Sequence, residues 1–207
     1  MTLIYLIRHG HNQYVEKGKL AGRTAGVHLS ERGHAQAQKA AELLGAAKLK
    51  AVYASPLERT METAEPIASA AGLQVIPEDD LLEMDYGTWQ GKSLKALRRR
   101  KLWPTIQHTP SLARFPEGES FTEAQARIVG GLDRLQRKHH QKTAVIAFVF
   151  HSDPIKLAIA HYLGLPIDLF QRLVIEPASI SLLAITSTHA RILRLNDTRA
   201  TNTAQAE

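Results

Sequence analysis

Apolar residues along the chain alternate between short uninterrupted runs and amphipathic stretches, which predicts strands alternating with helices. The uninterrupted runs occupy residues 3–7, 51–54, 74–76 and 143–150. The last of them, TAVIAFVF, is apolar almost throughout, as expected of a central strand covered on both faces. Two late runs, SISLLAITS and HARILRLN, predict an antiparallel hairpin.

Helices are predicted between these strands by their capping residues. Ser30 is a suitable N-cap for a helix over 31–47, and Ser120 with Glu123 forms a capping box for a helix reaching about residue 140. Ser55 and Pro56 have the chemistry of a helix start, and we expect Pro66 to kink or divide the helix that follows. A further helix begins near Asp153 and Pro154 and ends at Gly164.

This order of elements predicts an α/β three-layer sandwich. Its central sheet is mostly parallel and flanked by helices, and the C-terminal hairpin lies antiparallel at the edge. The chain has 207 residues, which suits one domain and is short for an eightfold barrel of typically about 250 residues. We expect a single domain over residues 1–197 and a flexible polar tail over 198–207.

The composition limits the classes of site and of binding partner that are possible, but it does not identify one partner. The chain has no cysteine, which excludes a disulfide framework and a thiolate zinc site. A net charge of +6 and a pI near 9.6 favour anionic partners: nucleic acid, a membrane surface or a phosphorylated small molecule. We find no leader sequence and no apolar run near the roughly 20 residues of a membrane span, so we expect a cytoplasmic protein.

Charged and ionisable side chains follow the predicted strands directly. Arg8 and His9 come at the end of the first strand, and His151 follows the fourth. Arg59 lies in the first turn of the helix after the second strand. Because the carboxyl ends of parallel strands meet at one edge of a sheet, we expect these groups to lie close together. Guanidinium groups match phosphate oxygens and an imidazole can act as a nucleophile, so the set suits a phosphoryl group. Gly10 would let the backbone approach such an anion.

Five segments in fixed order resemble the histidine phosphatase superfamily, also called the phosphoglycerate mutase-like family. They are LIRHG at 6–10, LSERGHAQA at 29–37, YASPLERTMETAEPIA at 53–68, LLEMDYGTWQG at 81–91 and FHSDPIKLAIAHYLGLP at 150–166. The resemblance implies that His9 is the phosphorylated nucleophile, that Arg8, Arg59 and His151 hold the phosphate, and that Glu83 donates the proton. It also implies that Asn12 contacts phosphate and that Gly22 lies in the substrate loop.

The chemistry of these residue types agrees with the implied roles. Neighbouring arginines oppose protonation of His9, which keeps the imidazole nucleophilic, and they can replace a metal ion in offsetting phosphate charge. Glu83 must be protonated before an alkoxide can leave, and the apolar residues around it would raise its pKa. Asp79, Asp80 and Asp85 are alternative proton donors. The predicted enzyme is a metal-independent phosphatase of a small phosphate ester that requires no cofactor and binds neither nucleic acid nor membrane.

Three other functions compete with this one. Arg98 and Arg99 could imitate a basic pair of the family's mutases, although a solvated helix face better explains the basic run at 98–101. His9 and His11 form the H-x-H of metal-dependent hydrolases with barrel folds. The basic pI would also suit a nucleic-acid-binding module. Oligomeric state and physiological substrate are left open.

Two positions depart from the family pattern. His11 stands where the family most often has glutamate, and it could contact phosphate, shift the pKa of His9 or point away. Ser152 stands where the family usually has glycine, and its side chain could crowd or hydrogen-bond the phosphate.

Overall fold

A single six-stranded sheet runs through the computed structural model, which describes residues 1–139 and 143–201. Its strands, in chain order, are β1 (Thr2–Arg8), β2 (Ala51–Ala54), β3 (Val75–Pro77), β4 (Ala144–Phe150), β5 (Ile180–Ile185) and β6 (Ala190–Asp197). Their spatial order is β3-β2-β4-β1-β5-β6. The first four strands pair in parallel, as β1 with β4, β2 with β4 and β2 with β3. The last two are antiparallel: β5 pairs with β1, and β6 pairs with β5. The predicted three-layer sandwich with an antiparallel C-terminal hairpin is therefore confirmed.

Seven α-helices lie within the described residues. They are α1 (Gln13–Glu16), α2 (Glu31–Leu44), α3 (Glu58–Ala70), α4 (Leu94–Leu97), α5 (Trp103–His108), α6 (Phe121–Arg137) and α7 (Ser152–Leu163). The predicted capping box of α6 is present, and Gly164 ends α7 in the left-handed conformation with φ of 66°. No helix in the described ranges is long and apolar enough to cross a membrane.

The central strands are buried on both faces, which explains their uninterrupted apolar sequences. Ile146, Phe148 and Phe150 of β4 belong to the core that also contains buried residues of α6 and α7. Ala147 and Val149 face the second core, together with α2 and α3. Because side chains alternate along a strand, a strand covered by helices on both sides needs apolar residues at every position.

The start and the continuity of α3 differ from the sequence prediction. The helix begins at Glu58 with Leu57 as N-cap, because Ser55 is engaged elsewhere: its carbonyl accepts from Thr60 Oγ1 at 2.8 Å and its hydroxyl contacts His151. Pro66 neither divides nor ends the helix. The buried residues on both sides of this proline pack into one core, and that packing offsets the lost backbone hydrogen bond.

The first residues of the predicted tail pack against the domain. Ala200 is fully buried, and Gln36 Nε2 of α2 donates to the Thr201 carbonyl at 3.2 Å. Residues 202–207 lie outside the described part of the chain, and for them the flexible tail stays a prediction.

Gly10 and Gly33 allow the first turn of α2 to touch the loop that follows β1. A Cβ on Gly33 would lie 2.1 Å from the His11 carbonyl oxygen, and one on Gly10 would lie 2.7 Å from the Gly33 carbonyl oxygen. The Gly10 N–H donates to Thr63 Oγ1 at 3.0 Å. Gly10 therefore accommodates α2, and the close approach of an anion to this residue stays a prediction.

We expect Gly33→Ala to destabilise the protein by about 1–3 kcal/mol, because the added methyl group overlaps backbone that cannot move independently. Gly130→Ala is the matched control, since Gly130 is exposed on α6 and its Cβ would meet nothing within 4 Å. This control should gain roughly 0.5–1 kcal/mol from the helix preference of alanine. Urea unfolding measures both changes, and equal stability of the two variants would contradict the packing argument.

Candidate active site

The ends of β1 and β4 bring two histidines together. The two strands pair in register so that Arg8 lies opposite Phe150, and the His9 N–H donates to the Phe150 carbonyl at 2.9 Å. The next residue of β4 is His151. The ring centroids of His9 and His151 are 5.3 Å apart in an edge-to-face arrangement. Parallel pairing thus places the first and fifth family segments at one point of the sheet.

The His9 ring is held in a single tautomer. Its Nδ1 lies 2.8 Å from the Gly10 carbonyl oxygen, and a carbonyl only accepts, so Nδ1 carries the hydrogen and Nε2 keeps its lone pair. Burial, followed by the charges of Arg59 and Arg8, lowers the pKa of His9 well below its usual value. The imidazole is therefore neutral at pH 7, with a free ring nitrogen.

Two guanidinium groups with unused donors accompany the histidines. Arg59 Nη2 donates to the Gly22 carbonyl at 2.7 Å, and Arg8 Nη1 donates to the Ile175 carbonyl at 2.6 Å. Arg59 Nε and Nη1 and Arg8 Nε are buried and have no hydrogen-bond partner within the described ranges. Unsatisfied buried cationic donors are costly, and an anion would satisfy them.

His151 is fully buried and contacts Arg59. Its Nε2 lies 2.9 Å from Ser55 Oγ, and its Nδ1 lies 3.3 Å from Arg59 Nη2, which can only donate. Nδ1 therefore accepts and Nε2 carries the hydrogen. Burial and the Arg59 charge lower the pKa of His151 well below its usual value. Its approach of 4.0 Å to Glu83 Oε2 is consequently not an ion pair at pH 7.

Glu83 is a buried carboxyl group that stays protonated to a higher pH than an ordinary glutamate. Burial, followed by the charge of Asp153, raises the pKa of Glu83 to about 7, against the lowering effects of Arg59 and the Met84 N–H. Of the four apolar residues expected to desolvate it, Leu81, Met84 and Trp89 are buried, whereas Leu82 is only half-buried.

The three alternative proton donors lie elsewhere. Asp79 is exposed, Asp80 pairs with Arg134 at 2.7 Å, and Asp85 Oδ1 accepts from the Gly87 N–H at 2.9 Å. None of the three is among the residues that line the cleft.

A cleft of about 410 Å³ opens above these groups. Six of the seven predicted site residues line it, namely Arg8, His9, Asn12, Gly22, Arg59 and Glu83, whereas His151 lies fully buried beside them. Asn12 Oδ1 caps α1, and its Nδ2 is buried without a partner among the described residues. Gly22 has φ of 56°, and its carbonyl holds Arg59. The structure therefore brings all seven residues together.

The outer part of the cleft is apolar and largely aromatic. Tyr86, Trp89, Trp103, Phe115 and Phe121 line it, and the Trp89 and Trp103 rings stack with centroids 6.5 Å apart. Arg98 is exposed, as predicted for a solvated helix face, but it also lines the cleft. This aromatic wall was not predicted from the sequence.

Of the two departures from the family pattern, His11 points toward α2 and Ser152 lines the cleft. His11 Nδ1 lies 2.9 Å from Ser30 Oγ at the start of α2, and its charge makes the smallest contribution to the lowered pKa of His9. The second and third alternatives for this residue are therefore both supported. The Ser152 hydroxyl donates to the Ile175 carbonyl at 3.4 Å. Within residues 1–139 and 143–201, no cluster of three His, Asp or Glu side chains is arranged to hold a metal ion.

Asp153 is a cleft residue that sequence analysis treated only as a helix start. Its Oδ2 accepts from the Tyr86 hydroxyl at 2.8 Å, and Lys156 Nζ lies 3.6 Å from its Oδ1. Burial, followed by the charge of Asp153, raises the pKa of Tyr86 well above its usual value, so the phenol keeps its proton. The sequence feature that could have identified Asp153 is its position, two residues after His151 in a helix that starts at the edge of the sheet where the site lies.

A neutral imidazole with a free ring nitrogen, buried guanidinium donors and a carboxyl group with a pKa near 7 are the groups that phosphoryl transfer requires. The chain belongs to the histidine phosphatase superfamily (branch 1), whose family model matches residues 4–198. The open sheet of this family contradicts the alternative of a barrel-fold metal hydrolase.

Relatives within the family include both phosphatases and mutases. The chain is 31% identical to Phosphoserine phosphatase 1 of Hydrogenobacter thermophilus over 96% of its length and 93% of the relative. It is 31% identical to the Probable phosphoglycerate mutase GpmB of Cronobacter sakazakii, over 87% of this chain and 84% of that one. It spans only about half, 53%, of some other curated relatives.

The solved structure of YhfR from Bacillus stearothermophilus shares the fold. It has a TM-score of 0.89 and 22% identity, and the match covers 97% of this chain and 100% of that one. Family and fold together agree with phosphatase or mutase activity on small phosphorylated metabolites.

We expect the Glu83 carboxyl group to titrate near pH 7, and Asp153→Asn to lower that midpoint by roughly one pH unit, because it removes a neighbouring negative charge. Carbon-13 NMR of the glutamate carboxyl groups, assigned with Glu83→Gln, measures the midpoint. Asp197→Asn is the control, since Asp197 pairs with Arg199 on β6 outside the cleft. A midpoint that stays unchanged in Asp153→Asn would contradict the electrostatic argument.

Proposed function

We propose that this protein is a metal-independent phosphomonoesterase that forms a phosphohistidine on His9. The observation that carries the proposal is the pairing of a lone-pair-bearing Nε2 on His9 with buried, unpartnered guanidinium donors of Arg8 and Arg59. A phosphate dianion would satisfy those donors and place its phosphorus beside the nucleophile.

Phosphate binding uses donors that the fold already points into one place. Arg8 and Arg59 supply guanidinium N–H groups, and Asn12 supplies its unpartnered amide Nδ2. The charge of a bound dianion favours protonation of His151, so that Nδ1 can donate to a phosphoryl oxygen. These cations offset the charge on the transferring oxygens, which is the contribution a metal ion makes in other phosphatases.

In the first step, the lone pair of His9 Nε2 attacks phosphorus and the bond from phosphorus to the ester oxygen breaks. The electron pair of that bond stays on the leaving oxygen, which takes the proton of the Glu83 carboxyl group. A pKa of about 7 leaves Glu83 substantially protonated at neutral pH, as an acid for an alkoxide must be.

In the second step, the Glu83 carboxylate accepts a proton from water as the water oxygen attacks the phosphohistidine. The nitrogen–phosphorus bond breaks, its electron pair returns to Nε2, and inorganic phosphate leaves. Glu83 is then protonated again and His9 is neutral, so the cycle is closed without another reactant.

The cleft favours a phosphatase over a mutase. A mutase must hold the second anionic group of its substrate, whereas Asp153 places a carboxylate beside Glu83 in this cleft. Arg98 at the cleft wall supports the mutase as the second candidate. We further propose a small-molecule phosphate ester as substrate, a cytoplasmic location and no nucleic-acid partner.

We expect His9→Ala to reduce phosphate release by about a thousandfold or more, because it removes the nucleophile. Acid-labile phosphate should be trapped on the wild-type protein and not on this variant, with a labelled chromogenic ester as substrate. His11→Ala is the control: its ring points toward Ser30, so turnover should stay within about threefold. Both results should hold in EDTA. Normal turnover by His9→Ala, or an EDTA-inactive protein that zinc restores, would refute the mechanism.

Phosphatase and mutase are distinguished by the fate of the phosphoryl group. We expect inorganic phosphate to be released from small phosphomonoesters, with no stimulation by 2,3-bisphosphoglycerate, because the Asp153 carboxylate in the cleft opposes the binding of a second anionic group. Phosphate release and isomer composition would be measured together with 3-phosphoglycerate as substrate. Rapid isomerisation with negligible release would identify a mutase instead.

A further inference from the structure

One arginine of α6 binds three carbonyl groups of the loop that ends at Glu83. Arg127 Nη1 donates to the carbonyl oxygens of Asp80 at 2.9 Å and Leu82 at 3.0 Å, and Nη2 lies 3.5 Å from that of Glu83. Glu119 binds the same guanidinium with both carboxylate oxygens, each at 2.9 Å. The bidentate pair fixes the plane of the guanidinium and therefore the direction of its N–H groups.

Arg23 holds the same carbonyl from the opposite side. Its Nε donates to the Glu83 carbonyl oxygen at 2.9 Å, and its Nη2 lies 3.0 Å from Glu119 Oε1. The preceding residue, Gly22, accepts from Arg59. Glu119 therefore joins the loop of the proposed acid to the loop that holds a proposed phosphate-binding arginine.

These contacts are sheltered from water. The side chains of Arg127, Glu119 and Arg23 are 19%, 18% and 27% exposed. Burial acts against ionisation of Glu119, but hydrogen bonds from Arg127 and the Asp85 N–H outweigh it and lower the pKa of Glu119. The Glu119 carboxylate stays charged at neutral pH, and the hydrogen bonds that it accepts are charge-assisted.

The carboxyl group of Glu83 itself has little support. Its Oε1 accepts from the Met84 N–H at 3.0 Å, and Oε2 is 4.0 Å from His151 Nδ1. The direction of this side chain thus depends on the backbone that Arg127 and Arg23 hold. Arg127, Glu119 and Arg23 lie outside the cleft lining, so they do not contact substrate. The charge of Arg127 also contributes a little to the lowered pKa of His151.

We propose that Arg127, together with Glu119, is a positioning residue for proton delivery by Glu83. The proposal rests on the proposed function, in which Glu83 protonates the leaving oxygen. Its consequence is selective: a displaced acid slows the departure of a basic alkoxide, whereas nitrophenolate leaves without protonation. A general loss of structure would slow both kinds of ester alike.

The test compares two esters with four variants, one of which is Glu119→Gln. The esters are p-nitrophenyl phosphate, whose leaving group needs no acid, and 2-phenylethyl phosphate, whose leaving group does. The other three variants are Glu83→Gln as the reference for a lost acid, Arg127→Gln, and the control Arg134→Gln. Arg134 lies two turns later on α6, is itself 44% exposed, and binds the side chains of Glu78 and Asp80. The parameter is kcat/KM, because it reports the steps up to formation of the phosphoenzyme.

We expect Arg127→Gln to lower kcat/KM for the alkyl ester by about tenfold to a hundredfold and that for the nitrophenyl ester by less than about threefold. Glu83→Gln should show the same pattern more strongly, and Arg134→Gln should change neither ester. Glu119→Gln keeps the shape of the side chain and removes its charge, so it should give a weaker version of the pattern.

The outcomes separate the two proposals. If Glu83→Gln slows both esters equally, or slows neither, the assignment of Glu83 as the acid is wrong and the proposed function fails at that step. If Glu83→Gln is selective and Arg127→Gln slows both esters equally, the positioning role is overturned while the proposed function stands. Circular dichroism identifies a variant that does not fold, and Glu119→Gln then decides by the same criterion.

Discussion

The in-register parallel pairing of β1 with β4 is the constraint on which the site depends. Both strands are covered by helices on each face, so neither can slip by one residue without exchanging its buried positions for those of the other face. The register that satisfies both cores sets Arg8 opposite Phe150. The next residue of each strand is a histidine, and the two rings meet at 5.3 Å. Core packing on both sides of the sheet thereby determines the distance between the imidazoles.

Burial at this edge has opposite effects on the two kinds of ionisable group. It disfavours the charged form of each, so it lowers the pKa of His9 and raises that of Glu83. The result is a neutral base beside a protonated acid, which is the combination that nucleophilic attack with leaving-group protonation needs. The charges of Arg8 and Arg59 lower the pKa of His9 further, and they also act to lower the pKa of Glu83. The charge of Asp153 acts in the opposite direction and raises the pKa of Glu83. The protonation states of His9 and Glu83 thus depend on a few charges that share one low-dielectric environment.

Local patterns predicted the parts of the molecule that regular strands and caps determine. The alternation of strands and helices, the capping box at Ser120 and the meeting of Arg8, His9, Arg59 and His151 could all be read from the sequence. The role of Gly10 could not, because it depends on the approach of Gly33 from another element. The conformation of residues 79–118 was also not predicted, because long-range hydrogen bonds determine it. One example is the bond from the Glu119 N–H to the Asp85 carbonyl at 2.9 Å. Such contacts leave no periodic signal.

The two ends of the cleft consequently obey different constraints. The end of the cleft that contains Arg8, His9 and Arg59 is built from strand and helix termini, whose positions are fixed by the sheet. The outer wall is built from side chains on short helical segments, such as Trp89 and Trp103, whose positions depend on packing against one another. A substitution in the wall can therefore alter which alcohol fits while the phosphate-binding groups stay in place. Asp153 belongs to both ends: the first turn of α7 fixes it to the sheet, its charge raises the pKa of Glu83, and its hydrogen bond with Tyr86 reaches the aromatic wall. In the proposed mechanism, selection of the leaving group and tuning of the acid that protonates it are thus coupled through one carboxylate.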